Sequence, residues 1–202
     1  DLPLIMANNS GWWTGIAVQN LGSTNTAVTV QYFPQPGYPA RAQEVATVAP
    51  HRTVLFLQSG GQWEDDPWVG SARVVADQPL AAIVNQNYSG RLMSYDGFLD
   101  GTGHVVLPIV RNAASGWTSG VQVQNLDSAT ADVVLRVGGS QIWSGSIGAH
   151  ESVTLYPVPG TGSGFAGPAT VACTNGKRIA AVANTNSSGT GDYIRCYNGL
   201  NR

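Results

Sequence analysis

The stretch Ser10-Gly-Trp-Trp-Thr-Gly-Ile-Ala-Val-Gln-Asn-Leu21 returns later in the chain as Ser115-Gly-Trp-Thr-Ser-Gly-Val-Gln-Val-Gln-Asn-Leu126. Each copy is preceded by a leucine–proline segment, Leu2-Pro-Leu-Ile5 in one case and Leu107-Pro-Ile-Val110 in the other. Farther on, His51-Arg-Thr-Val54 matches His150-Glu-Ser-Val153, and Ala81-Ala-Ile-Val-Asn-Gln-Asn87 matches Ala180-Ala-Val-Ala-Asn-Thr-Asn186. Ser94-Tyr-Asp-Gly97 matches Cys196-Tyr-Asn-Gly199 near the end. The matches keep their order, so the pattern reads as a duplication of one domain. Two domains are expected, over residues 1–102 and 103–202, each of a size that can bury its own core. The break falls in Asp100-Gly-Thr-Gly103, too short for a floppy tether.

Within each copy the texture is β. Thr26-Ala-Val-Thr-Val-Gln-Tyr-Phe33 alternates apolar and polar residues and is rich in β-branched side chains, as a half-buried strand requires. Residues 15–20, 52–57, 120–125, 131–137 and 152–156 read the same way, and turn signals such as Gly138-Gly139 and Asn175-Gly176 separate such runs. No segment carries a sustained helical period. The expected fold is all-β: two tandem β-sandwiches of immunoglobulin-like size.

Composition narrows the function classes. Charged residues make up 11% of the chain, well under the roughly 25% of ordinary soluble domains, and Lys177 is the only lysine. Such a surface repels its neighbours weakly, so dense self-association meets little electrostatic resistance. A formal net charge of −2 without a basic block argues against a nucleic-acid partner. No apolar run is long enough for a membrane-spanning helix, and the start lacks both a signal peptide and the long apolar helix of type IV pilins. If the protein is exported, Asp1 is expected to be the mature end.

The pattern Trp-x-(Ser/Thr)-Gly-(Ile/Val)-x-Val-Gln-Asn-Leu, over Trp12–Leu21 and Trp117–Leu126 and preceded by Leu-Pro-x-(Ile/Val), resembles the repeated β-sandwich modules of secreted bacterial cell-surface proteins. The resemblance implies export to the cell surface and no particular activity.

Residues for chemistry are scarce. No nucleophile elbow, phosphate loop or zinc-protease motif occurs, and no cofactor is expected. His51 and His150 recur at one position before a strand, where a surface or locally bonded histidine is the simpler reading than a paired site. Glu64-Asp-Asp66 is the one dense acidic run; it offers Ca²⁺ ligands, but a solvated loop accounts for it better, so no metal site is assigned. The protein is therefore read as a non-enzyme. Trp12 and Trp117 recur near a strand start and are expected in the core. Trp13, Trp63, Trp68 and Trp143 are candidates for exposure and for stacking on surface glycans. Asn8, Asn87 and Asn186 open N-glycosylation sequons.

Cys173 and Cys196 both lie in the second copy, at positions where the first copy has Ala76 and Ser94. A pair present together and absent together suggests one disulfide in an oxidising compartment; two unrelated thiols is the alternative.

The leucine–proline segments allow two connections. Each is the first strand of the domain that follows, or each closes the domain before it. In the second case residues 105–110 complete the first domain and the second is left open at Arg202. The assembly strand Leu2, Pro3, Leu4, Ile5 and Met6 then projects toward the next subunit. Strand addition of that kind propagates head to tail into a pilus-like filament whose partner is a copy of the chain itself. The expected function is that of an extracellular fibre subunit, with a monomeric adhesion or carbohydrate-binding module as the alternative.

Overall fold

The computed structural model describes residues 1–64, 67–187 and 193–202. It is all-β, with a single short 3₁₀ turn at Gly61–Trp63 and no α-helix among the described residues. The chain divides into two compact units, Asp1–Gly97 and Phe98–Arg202.

The first unit contains β1 (Leu2–Ala7), β2 (Trp12–Asn20), β3 (Thr26–Pro34), β4 (Glu44–Val48), β5 (Thr53–Leu57), β6 (Trp68–Val75), β7 (Leu80–Tyr88) and β8 (Arg91–Asp96). They form two four-stranded antiparallel sheets, in the orders β1-β6-β3-β4 and β5-β2-β7-β8. Alternation sets the faces. Thr26, Val28, Val30 and Tyr32 on β3 are buried, as are Thr14, Ile16, Val18 and Asn20 on β2, while the residues between them are more exposed.

The second unit contains β9 (His104–Asn112), β10 (Trp117–Asn125), β11 (Ala131–Val137), β12 (Ser140–Ile147), β13 (Ser152–Leu155), β14 (Phe165–Cys173), β15 (Ile179–Ser187), β16 (Ile194–Asn198) and β17 (Leu200–Asn201). Its sheets run β17-β9-β14-β11-β12 and β13-β10-β15-β16. These are the strand orders of the first unit with β17 added beside β9. Val105, Leu107, Leu135 and Val171 from one sheet and Val121, Val123, Ile179 and Ala183 from the other share one core, a sandwich-like arrangement. The segment around Asp100–Gly103 is tied to this unit: Thr102 and Ile179 exchange both main-chain hydrogen bonds, at 3.1 and 2.8 Å, and Arg178 pairs with Asp100 at 3.0 Å.

The connection of the leucine–proline segments differs from the donor scheme. β1 pairs with β6 of its own unit and β9 with β14 of its own unit. In the single chain residues 105–110 therefore do not close the first unit but fill the corresponding place in the second, beside β14, and Leu200–Asn201 pairs with Val106 and Val105 on the other edge of β9. In the single chain each such strand is the first of the unit that follows it.

Candidate functional site

Proline decides how β1 sits. Pro3 has no amide hydrogen to give to the ladder, and pairing with β6 slips by one residue between Leu2↔Ala72 and Ile5↔Gly70. Pro3 and Leu4 thus stand opposite a single residue, Ser71. The bulge turns the polar main-chain groups of Leu4 away from β6, and both are taken up by one phenol. Tyr95 Oη on β8 accepts from Leu4 N at 3.0 Å and donates to Leu4 O at 2.6 Å. Two residues on, Thr14 Oγ1 accepts from Met6 N at 3.1 Å and lies 2.9 Å from Met6 O. All six residues of β1 are buried.

The second unit repeats this seat. Pairing of β9 with β14 slips between Leu107↔Ala169 and Val110↔Gly167, which places Pro108 and Ile109 opposite Pro168. Tyr197 Oη on β16 donates to Ile109 O at 2.5 Å and accepts from Ile109 N at 3.3 Å. Ser119 Oγ, in the place of Thr14, accepts from Arg111 N at 2.9 Å and lies 2.7 Å from Thr185 Oγ1. Burial raises the Tyr197 pKa above the ordinary tyrosine value.

The first seat continues inward. Thr14 Oγ1 reaches Gln58 Oε1 at 2.9 Å, and Gln58 Nε2 donates to Tyr32 Oη at 3.1 Å. Tyr32 in turn donates to Glu44. Gln58 is fully buried, so the relay satisfies a side chain that would otherwise be costly there. Burial, then the bond to Glu44, holds the Tyr32 phenol well above the usual tyrosine range.

A tight turn joins each seated strand to the next. Asn9 and Trp12 exchange main-chain hydrogen bonds at 3.1 and 3.0 Å around Ser10 (φ 52°) and Gly11 (φ 86°), the positive-φ pair of a type I′ turn. Asn8 just before it is also left-handed, at φ 45°. The second unit repeats the turn with Ala113 (φ 51°), Ser115 (φ 50°) and Gly116 (φ 78°). Left-handed backbone at a serine or alanine costs on the order of 1 kcal/mol.

The rest of the repeated motif is structural. Asn20 and Asn125 are fully buried at the ends of β2 and β10. Asn20 Nδ2 donates to Thr24 O and Val48 O at 2.8 and 3.0 Å, and its Oδ1 accepts from Gly22 N at 2.9 Å. Asn125 does the same with Ala129 O, Ile147 O and Asp127 N at 2.8, 3.1 and 3.0 Å. Gln124 Nε2 donates to His150 O at 3.1 Å. His51 and His150 share a φ of 59°, so their recurrence marks one turn geometry.

The structure does not join Cys173 to Cys196 by a disulfide. Cys173 lies on β14 and packs against the core. Cys196 lies on β16, in the other sheet. Its neighbour Tyr197 faces the core, so strand alternation turns Cys196 to the opposite face. Cys173 instead sits 3.0 Å from Asn175 Oδ1 and accepts from Lys177 N at 3.3 Å.

The tryptophans also depart from expectation. Trp63 and Trp68 are buried in an edge-to-face cluster with Tyr32, with ring centroids 4.8 and 6.1 Å from it. Trp12 and Trp117 are half-exposed rather than core residues. Trp12 stacks on Tyr88 at 4.9 Å, and Trp117 lies under the Arg195 guanidinium at 4.5 Å. Of the sequon asparagines, Asn87 is exposed and Asn8 half-buried. Asn186 is half-buried and accepts from Tyr156 Oη at 3.2 Å, while Ser188 of its sequon lies outside the described residues. Asp65 and Asp66 of the acidic run also lie outside them, and no metal-binding cluster occurs among the described residues.

Tyr95, Tyr197, Thr14 and Ser119 were not singled out by sequence reasoning, although all four recur between the copies. The signal was the repeat itself: the tyrosines sit in Ser94-Tyr-Asp-Gly97 and Cys196-Tyr-Asn-Gly199, and the hydroxyls at the Ser/Thr position of the motif. Comparison with protein-family models, with curated proteins and with solved structures finds no match for this chain.

Proposed function

We propose that this chain is an extracellular structural protein, the subunit of a pilus-like surface fibre built head to tail by donation of its N-terminal strand. Its two units are read as immunoglobulin-sized sandwiches that arose by duplication of one module. The observation that carries the proposal is the seat. β1 is held by Tyr95, Thr14 and the β6 ladder, contacts that any copy of the same strand can make. Its covalent link to the rest of the unit is a turn with left-handed non-glycine residues, and a strained short hinge favours strand exchange.

Because each seat is filled by its own strand in the single chain, donation is an exchange: the strand leaves its own seat and enters another copy's. With the thiols apart, the extracellular placement rests on the low-charge surface, the sequons and the resemblance to secreted surface modules. An adhesion or carbohydrate-binding module is the second reading, favoured by the half-exposed Trp12 ring stacked on Tyr88.

Electron microscopy of the concentrated protein tests the proposal, beside a variant carrying M6C and V69C, which are register partners in one chain, on a background with C173S and C196S. Regular filaments are expected from the native chain, none from the oxidised variant, and filaments again after reduction. Separate particles in every sample would sink the fibre reading, and a glycan array becomes the next test.

A further inference from the structure

The two seats are alike in geometry but not in what they admit. In the first seat the two residues after Ile5 are Met6 and Ala7, 5% and 0% exposed. The corresponding residues of β9 are Arg111 and Asn112, both only half-buried where they stand. Placing β9 in the first seat puts a guanidinium and a carboxamide where a thioether and a methyl group are buried, and an unpaired buried charge is strongly disfavoured. The strands also differ in how firmly they are held. β1 has one ladder neighbour, β6, whereas β9 lies between β14 and β17. Leaving costs β1 one ladder and β9 two.

We infer that the first seat is the exchange site, and that its occupant in the assembly is β1 of a second copy while β9 stays in place. This rests on the fibre reading and names its acceptor. It also differs from a scheme in which the donated strand enters the neighbour's second unit, because that would displace β9 with no seat suited to receive it. Exchange of β1 between first units leaves every seat filled by a strand that fits it. The bulge sets the register of the incoming strand: only a segment with proline ahead of the residue facing Tyr95 brings that residue's amide and carbonyl to the phenol. A one-residue slip would orphan the buried phenol and turn each side chain to the wrong face.

Cross-linking between full chains tests this, again on the C173S/C196S background. A chain carrying M6C is mixed with one carrying V69C, the register partner of Met6 in the first seat. In parallel it is mixed with one carrying A166C, the register partner of Arg111 in the second seat. The single chain carrying both M6C and V69C must close its own disulfide, which shows that the fold and the geometry survive substitution. The expected result is a mixed product with V69C in roughly tenfold excess over that with A166C, the ratio that a modest difference in seat affinity produces. A dominant A166C product overturns the inference and leaves strand donation standing. Filaments without either mixed product overturn both the inference and strand donation as the means of assembly.

Discussion

Tyr95 bonds both main-chain polar groups of Leu4 through a single oxygen, at 3.0 Å from the amide and 2.6 Å to the carbonyl. A side chain of the facing sheet thereby does the work of a neighbouring strand at the one place where proline breaks the ladder. Removing the hydroxyl orphans two buried groups at once. Tyr95→Phe is expected to cost the first unit roughly 2–4 kcal/mol, read as a lower denaturation midpoint for that unit. Tyr197→Phe is expected to cost less, because Ile109 is 37% exposed and water can replace part of the clasp.

Alkaline pH acts on the same contacts. Burial raises the folded-state pKa of Tyr197, and burial with the Glu44 bond raises that of Tyr32. A raised folded-state value means that the stabilisation is complete below the unfolded tyrosine value near 10 and is lost as pH rises above it. Stability is therefore expected to be flat with respect to tyrosine titration up to about pH 9 and to fall beyond pH 10. Denaturation midpoints measured across that range check this, and Tyr32→Phe should flatten the fall.

Each buried motif asparagine satisfies main-chain groups of a loop and of the neighbouring strand end. Asn20→Ala or Asn125→Ala is expected to cost roughly 3 kcal/mol through orphaned buried carbonyls. Chemical denaturation of the two variants should show the loss in one unit each, with additive effects in the double variant if the units unfold independently.

The hinge residue Ala113 carries a side chain at φ 51°. Ala113→Gly is expected to stabilise the second unit by about 0.5–1 kcal/mol, since relief of left-handed strain outweighs the added freedom of the unfolded chain. A midpoint that falls instead would show that the turn is unstrained.

Thiol counting settles the cysteines. Two reactive thiols per chain are expected after denaturation without reductant, since the structure does not link Cys173 to Cys196. A mass two units lower, with no thiol titrated, would restore the disulfide.

The strands were legible because their signal is local. Alternation in Thr26–Phe33 reports a sheet with one buried face, and β3 spans Thr26–Pro34. The recurring Trp-x-(Ser/Thr)-Gly and Leu-Pro-x-(Ile/Val) elements were legible as a repeat, but their coupling was not: Thr14 meets Met6 only after a chain reversal fixed by Ser10 and Gly11. Sequence register does not say which sheet a strand joins, so it did not show that Cys173 and Cys196 lie on different sheets. Trp63 and Trp68 misled for a related reason, since only the three-dimensional packing brings their rings against Tyr32. Which unit receives a leucine–proline strand was also beyond the sequence, because both connections satisfy the same alternation.

The short pairing of Leu200 and Asn201 with β9 has a mechanical consequence. A strand gripped on both edges resists extraction under tension longer than one gripped on a single edge. If the proposed fibre forms, the strand expected to part first under load is β1, held on one edge by β6, and its Leu-Pro register lets it return to the same alignment when the load is removed.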